Sequence, residues 1–89
     1  MQNNSNLVSV IMSAYNSERT IAESIESILN QSYQNIEFLI LDDCSTDKTL
    51  EIIESYKERN NTIKLVKNKK NLGLTKSLNI LIEKSSGQY

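Results

Sequence analysis

The chain alternates short apolar runs with segments whose apolar residues recur every three or four positions. "LVSVIM" at 7 to 12 is rich in β-branched residues and too short for a helix, which predicts a strand. From Thr20 the period changes: Ile21, Ile25, Ile28 and Leu29 share one helical face, so a helix is expected to run to residues 30–32. Thr20 and Glu23 match a capping box, with Asn16 and Ser17 as rival caps one turn earlier. "IEFLIL" at 36 to 41 predicts a second strand, and "TLEIIESYKER" at 49 to 59 a helix presenting Leu50, Ile53 and Tyr56. Ser45, Thr46 or Asp47 would cap it. "IKLVK" at 63 to 67 predicts a third strand, followed by a third helix with a buried stripe of Leu74, Leu78, Leu81 and Ile82 and with Gly87 beyond its end.

Strand starts near 8, 36 and 63 are spaced by about one βαβ unit each, so the chain reads as three successive βα units without a sequence repeat. Parallel strands need crossover helices, and crossovers are right-handed, which predicts an α/β fold with a parallel, Rossmann-like sheet in strand order 3-2-1. The absence of proline and the two glycines argue against hairpin-built sandwiches and barrels.

Composition narrows the function classes. At 89 residues the chain is one domain at most. No apolar run approaches the roughly 20 residues of a membrane span. Residues 1–6, "MQNNSN", are polar, lack the basic start and apolar core of a secretory signal, and read as a disordered tail, which places the protein in the cytoplasm. One cysteine, Cys44, fits a reducing compartment. The net charge of −1, with acids and bases interspersed, gives no nucleic-acid footprint. With no histidine, zinc sites and Ser-His-Asp or Cys-His catalysis are excluded, and any metal would be a hard ion on carboxylates. Neither G-x-G-x-x-G nor a Walker loop is present.

Ligands of open α/β sheets bind beyond the carboxyl ends of the strands, where this sequence places "SAYNSE" at 13 to 18, "DDCSTD" at 42 to 47 and "NKKNLG" at 68 to 73. The adjacent carboxylates of Asp42 and Asp43 repel each other and need compensating donors. Two readings stand: a loop carboxylate accepting backbone N–H bonds, or an acceptor for a ligand amide such as the N3–H of uracil. Tyr15 either packs under a loop or stacks its ring on a base.

These segments together, from "VSVIMSAYNSERTIAESIESILNQSYQNIEFLILDDCSTDKTLEII" through "NKKNLGLTKSLN" to "GQY", resemble the N-terminal part of family 2 glycosyltransferases, enzymes of the GT-A fold. The resemblance spans residues 7–89 and implies a partial nucleotide-sugar-binding domain, truncated before the D-x-D strand. It implies a nucleotide site of Ser13, Ala14, Tyr15, Glu18, Asp42 and Asp43. In that site Tyr15 stacks on the base, Asp43 binds the uracil edge, Asp42 supports the loop or reaches the ribose, and Glu18 lies near the donor nucleotide. Ser13 stands where the family carries proline, Cys44 where it carries glycine, and Leu78 where many members carry arginine.

The implied function is the donor-binding part of an inverting glycosyltransferase that moves a sugar from a UDP-sugar to an acceptor hydroxyl in polysaccharide synthesis, at the cytoplasmic face of the membrane in the full-length context. A divalent metal, Mg²⁺ or Mn²⁺, is expected for the full-length enzyme through the D-x-D motif, and none for this chain alone, which is expected to be inactive without its D-x-D and catalytic base. The alternative is a non-catalytic nucleotide-binding or self-associating structural fragment. If strand 1 ends the sheet, its unpaired edge predicts a homodimer.

Overall fold

The structure is a computed structural model in which residues 7–31, 33 and 35–86 are described. The tail at 1–6, Ser32 at the expected end of the first helix, and Gly87 with the rest of 87–89 lie outside the described residues. Three βα units follow one another: β1 (Val8–Ala14), α1 (Ile21–Leu29), β2 (Ile36–Asp42), α2 (Thr49–Arg59), β3 (Ile63–Lys67) and α3 (Leu74–Lys84). All pairings are parallel and β2 lies between β1 and β3, so the observed order is the expected 3-2-1. Ala14 pairs with Asp42, and Asp42 with Lys67, which aligns the carboxyl ends of the three strands in one row.

The central strand β2 is buried from Glu37 to Asp42. A parallel strand covered on both faces has no solvent side, which is why it reads as a nearly continuous apolar run. Alternation along the strands then builds two cores. On one face Phe38, Ile40, Ala14 and Ile63 pack with Ile21 and Ile25 of α1 and Ile53 of α2. On the other, Leu39 and Leu41 meet Leu81 of α3, flanked by Ile11, Val66 and Leu78. The two crossovers run in one direction along the sheet and share a hand, so α1 and α2 fall on the same face and α3 on the opposite one.

Two local expectations are corrected. Thr20 is the residue preceding α1, but its side chain makes no capping bond; the Ser17 carbonyl accepts from the N–H groups of Thr20 (3.0 Å) and Ile21 (2.8 Å) instead. The Thr20 N–H, which the Glu23 side chain of a capping box would serve, is already met by this turn. The α3 stripe is also displaced. Ser77 and Leu81 are its buried residues, while Leu74 is 64% exposed. Gly73 is tethered to Asp43 at the end of β2 (2.9 Å), so the first turn of α3 begins at the carboxyl edge of the sheet. No strand side chain remains there to cover Leu74. Ser77 turns inward because its hydroxyl accepts a bond from the Asn68 amide (3.2 Å).

At the other end of the sheet Glu37 is a buried carboxylate. It accepts from the Ser9 hydroxyl (2.6 Å), the Lys64 ammonium (3.0 Å) and the Ser86 N–H, pinning the end of α3 to β1, β2 and β3 together. Burial pushes its carboxyl up, but the bonds from Ser86, Ser9 and Lys64 outweigh it and hold the pKa down at about 2.

Candidate functional site

The three loops named from the sequence meet along one rim, and hydrogen bonds zip the first two together. Asn16 N–H donates to the Ser45 hydroxyl (2.9 Å), and the Asn16 side-chain carbonyl accepts from Thr46 N–H (2.8 Å). Ser17 N–H donates to the Thr49 hydroxyl (2.7 Å) and Glu18 N–H to Asp47 (3.2 Å). In return the Glu18 carboxylate accepts from Lys48 N–H (2.9 Å), and Asp47 accepts from Thr49 N–H (2.9 Å). Two acids thus satisfy free N–H groups where α2 begins, where the helix dipole favours negative charge. Burial pushes the Asp47 carboxyl up, but bonds from Thr49 and Glu18 bring it net below the usual aspartate range.

The tight path of both loops needs two residues in the left-handed region, Asn16 (φ 48°) and Cys44 (φ 63°). Asparagine tolerates that conformation and here gains bonds from it. Cysteine has no such compensation beyond a weak contact of its thiol with the Lys69 carbonyl at 3.6 Å.

The adjacent carboxylates do opposite jobs. Successive strand positions face opposite sides of the sheet, so Asp42 and Asp43 diverge at the end of β2. Asp42, 3% exposed, turns towards the start of α2 and accepts from Ser45 N–H (3.2 Å) through Oδ2, while its buried Oδ1 has no partner among the described residues. Asp43, 2% exposed, turns towards the loop at 68–73. Its Oδ1 accepts from the Asn68 amide (2.8 Å) and Leu72 N–H (2.8 Å), and its Oδ2 from Gly73 N–H (2.9 Å). Burial raises its pKa, but the bonds from Asn68, Leu72, Gly73 and Ser77 outweigh that and hold it below the ordinary aspartate range. Each carboxylate oxygen can accept two hydrogen bonds. Asn68 and Leu72 fill Oδ1, Gly73 donates to Oδ2, and the Ser77 hydroxyl adds a further bond to the carboxylate.

Asp43 also lines a cleft of about 320 Å³, together with Ser13, Tyr15, Asn71, Gly73 and Leu74. Of the six residues expected from the resemblance, Ser13, Tyr15 and Asp43 are brought together here. Ala14 packs in the core and contributes its carbonyl to Asp43 N–H (2.8 Å), Glu18 is engaged at the start of α2, and Asp42 faces the other side of the sheet. Asn71, Gly73 and Leu74 were not named from the sequence. Their loop lies at the edge expected from the sequence, but the inward turn of the Asn68 side chain has no local signal, and Leu74 matches the apolar period of a buried helix face.

Among the described residues no group of three or more His, Cys, Asp or Glu side chains could hold a metal ion. Three N–H donors already hold the Asp43 carboxylate and Asp42 is turned away from it, so the aspartate pair does not fit a divalent cation. No helix among the described residues is long and apolar enough to cross a membrane.

A profile of the family described as Glycosyl transferase family 2 matches residues 9–89. The chain belongs to this family. The putative glycosyltransferase EpsE of Bacillus subtilis is 53% identical over 83 residues, a match covering 92% of this chain and 30% of EpsE. TarS of S. aureus, solved in complex with UDP, superposes with a TM-score of 0.81 at 36% identity over 90% of this chain and 24% of that one. The mannosyltransferase PcManGT of Pyrobaculum calidifontis, solved with GDP-Man and Mn²⁺, superposes with a TM-score of 0.82 at 26% identity over 89% of this chain and 24% of that one. The chain therefore spans less than a third of the length of each of these relatives, and corresponds to a GT-A sheet over that span.

Proposed function

We propose that the 89 residues form the donor-nucleotide module of an inverting glycosyltransferase, and that the cleft at the end of β1 and β2 holds the uridine of a UDP-sugar. The single observation that carries this reading is that the carboxylate of Asp43 lines one cleft together with the half-exposed ring of Tyr15. An ionised carboxylate is an acceptor only. It suits the imide N–H of uracil and repels the lone pair that cytosine carries at the same ring position. Tyr15 supplies an aromatic face for the ring. The UDP bound by the TarS structure supports the same nucleotide.

In the full reaction an acceptor hydroxyl attacks the anomeric carbon, a glycosidic C–O bond forms, and the bond to the nucleoside diphosphate breaks. No D-x-D occurs in the sequence, and on this reading the chain binds the donor and does not transfer the sugar by itself. It acts in polysaccharide synthesis on the cytoplasmic side. Self-association is a second proposal. β1 is an edge strand whose Val8, Val10, Ile11 and Met12 are only partly buried, and two copies pairing these edges would form one continuous sheet.

Substituting Asp43 does not test the nucleotide reading cleanly, because the same carboxylate anchors the loop at 68–73. Calorimetric titration of the intact chain with UDP and CDP does. UDP is expected to bind at least tenfold more tightly than CDP, since a mismatched buried polar group costs about 1–3 kcal/mol. Tyr15→Ala is expected to weaken UDP with an unchanged urea midpoint. Equal affinity for the two nucleotides, or no heat from either, refutes the assignment.

A further inference from the structure

Leu74 is an apolar residue that the fold leaves uncovered at the carboxyl edge of the sheet. Its spacing from Leu78 and Leu81 puts it on the apolar side of α3, yet it is 64% exposed while Leu81 is fully buried. Among the described residues only Tyr15, Tyr33 and Leu74 are large hydrophobics left exposed, and two of these three line the same cleft. They reach it from different elements. Tyr15 follows β1, Leu74 opens α3 after the loop from β3, and Asp43 stands between them at the end of the central strand.

The position of Leu74 is held firmly. Gly73, in the left-handed region at φ 91°, donates its N–H to Asp43 Oδ2 (2.9 Å), and Leu72 N–H donates to Oδ1 (2.8 Å). The carboxylate that lines the cleft therefore also fixes the residue next to Leu74. A flat heterocycle whose N–H edge meets Oδ2 would cover apolar surface on both Tyr15 and Leu74, and an exposed aliphatic side chain gains by losing water to such a ring.

We propose that Leu74 is a base-contacting residue, supplying the aliphatic counterpart to Tyr15 in gripping the nucleobase. The proposal rests on the cleft being a nucleotide site and adds a contact that Asp43 and Tyr15 do not provide. Because Leu74 touches the base rather than the phosphates, its contribution is the same for a nucleoside and for its diphosphate. It also favours any planar ring that presents an N–H to Asp43, so it strengthens binding without choosing between bases.

The test is calorimetric titration of uridine and of UDP into the wild-type chain, Leu74→Ala, Leu74→Met and Tyr15→Ala, with urea midpoints measured alongside. Leu74→Ala is expected to weaken uridine and UDP by the same factor of about fivefold, the scale of a partly buried aliphatic contact, with its midpoint unchanged. Leu74→Met, which keeps the apolar bulk, is expected to stay within about twofold of wild type. Wild-type affinity in Leu74→Ala while Tyr15→Ala weakens both ligands overturns the proposal and leaves the nucleotide site standing. Loss of UDP affinity with uridine affinity retained overturns it too, by placing Leu74 at the phosphates. Wild-type chain binding neither ligand overturns the nucleotide reading and this inference with it.

Discussion

Replacing Asp43 with asparagine tests whether one carboxylate holds the third loop to the sheet. The substitution conserves shape and removes the charge. Asp43 accepts three bonds, from the Asn68 amide, Leu72 N–H and Gly73 N–H, all between 2.8 and 2.9 Å. An asparagine oriented with its oxygen towards Asn68 and Leu72 turns its NH₂ towards Gly73 N–H, donor against donor. One bond to a charged acceptor is lost, worth about 1.5–3 kcal/mol, and the other two fall to roughly half strength as neutral bonds. The sum is about 3 kcal/mol, from a domain that has about 5–10 kcal/mol in total. Urea unfolding followed by far-UV circular dichroism reads this directly. With a slope of about 1–1.5 kcal/mol/M the midpoint should fall by about 2–3 M. The neighbouring Asp42→Asn is the control. Asp42 accepts one bond and leaves a buried oxygen unpartnered, so neutralising it should cost under about 1 kcal/mol. Equal effects at the two positions, or a loss at Asp43 below about 0.5 kcal/mol, would refute the division of labour derived from the structure.

Three further outcomes are expected. Cys44→Gly should stabilise the chain by about 0.5–1 kcal/mol, the left-handed strain at φ 63° outweighing the entropy of the added glycine, whereas Asn16→Gly should destabilise it because the bonds to Thr46 go; a thermal melt of each decides. Glu37 titrates at about 2 in the folded chain against an ordinary 4.5, so the unfolded chain takes up its proton first; stability from this group is complete above about pH 4.5 and is lost as pH falls towards 2, and Glu37→Gln should flatten the urea midpoint over that window. If β1 edges pair, sedimentation equilibrium should show a dimer that a Val10→Lys substitution dissolves; monomer alone at high concentration defeats the idea.

The alternation of apolar runs and helical periods was enough to place six elements, three parallel strands and the order 3-2-1, because the short apolar runs fit strands of a covered sheet and each connection was long enough for one right-handed helix. It also placed Tyr15 and the aspartate pair on one rim, since the carboxyl ends of parallel strands coincide. What it could not assign was direction and partnership. Leu74 and Leu78 share a helical period, but only the sheet's edge determines that one is uncovered. Ser77 is buried because Asn68 reaches it across nine residues, a contact no local pattern encodes. Glu37 appeared as one charge in an apolar strand, and its burial depended on Ser86, forty-nine residues on. The local residue pattern treats the two aspartates alike, and only the family resemblance gives them different roles. The physical separation comes from tertiary structure, because donors from the loop after β3 converge on Asp43 and leave Asp42 to the loop that starts α2.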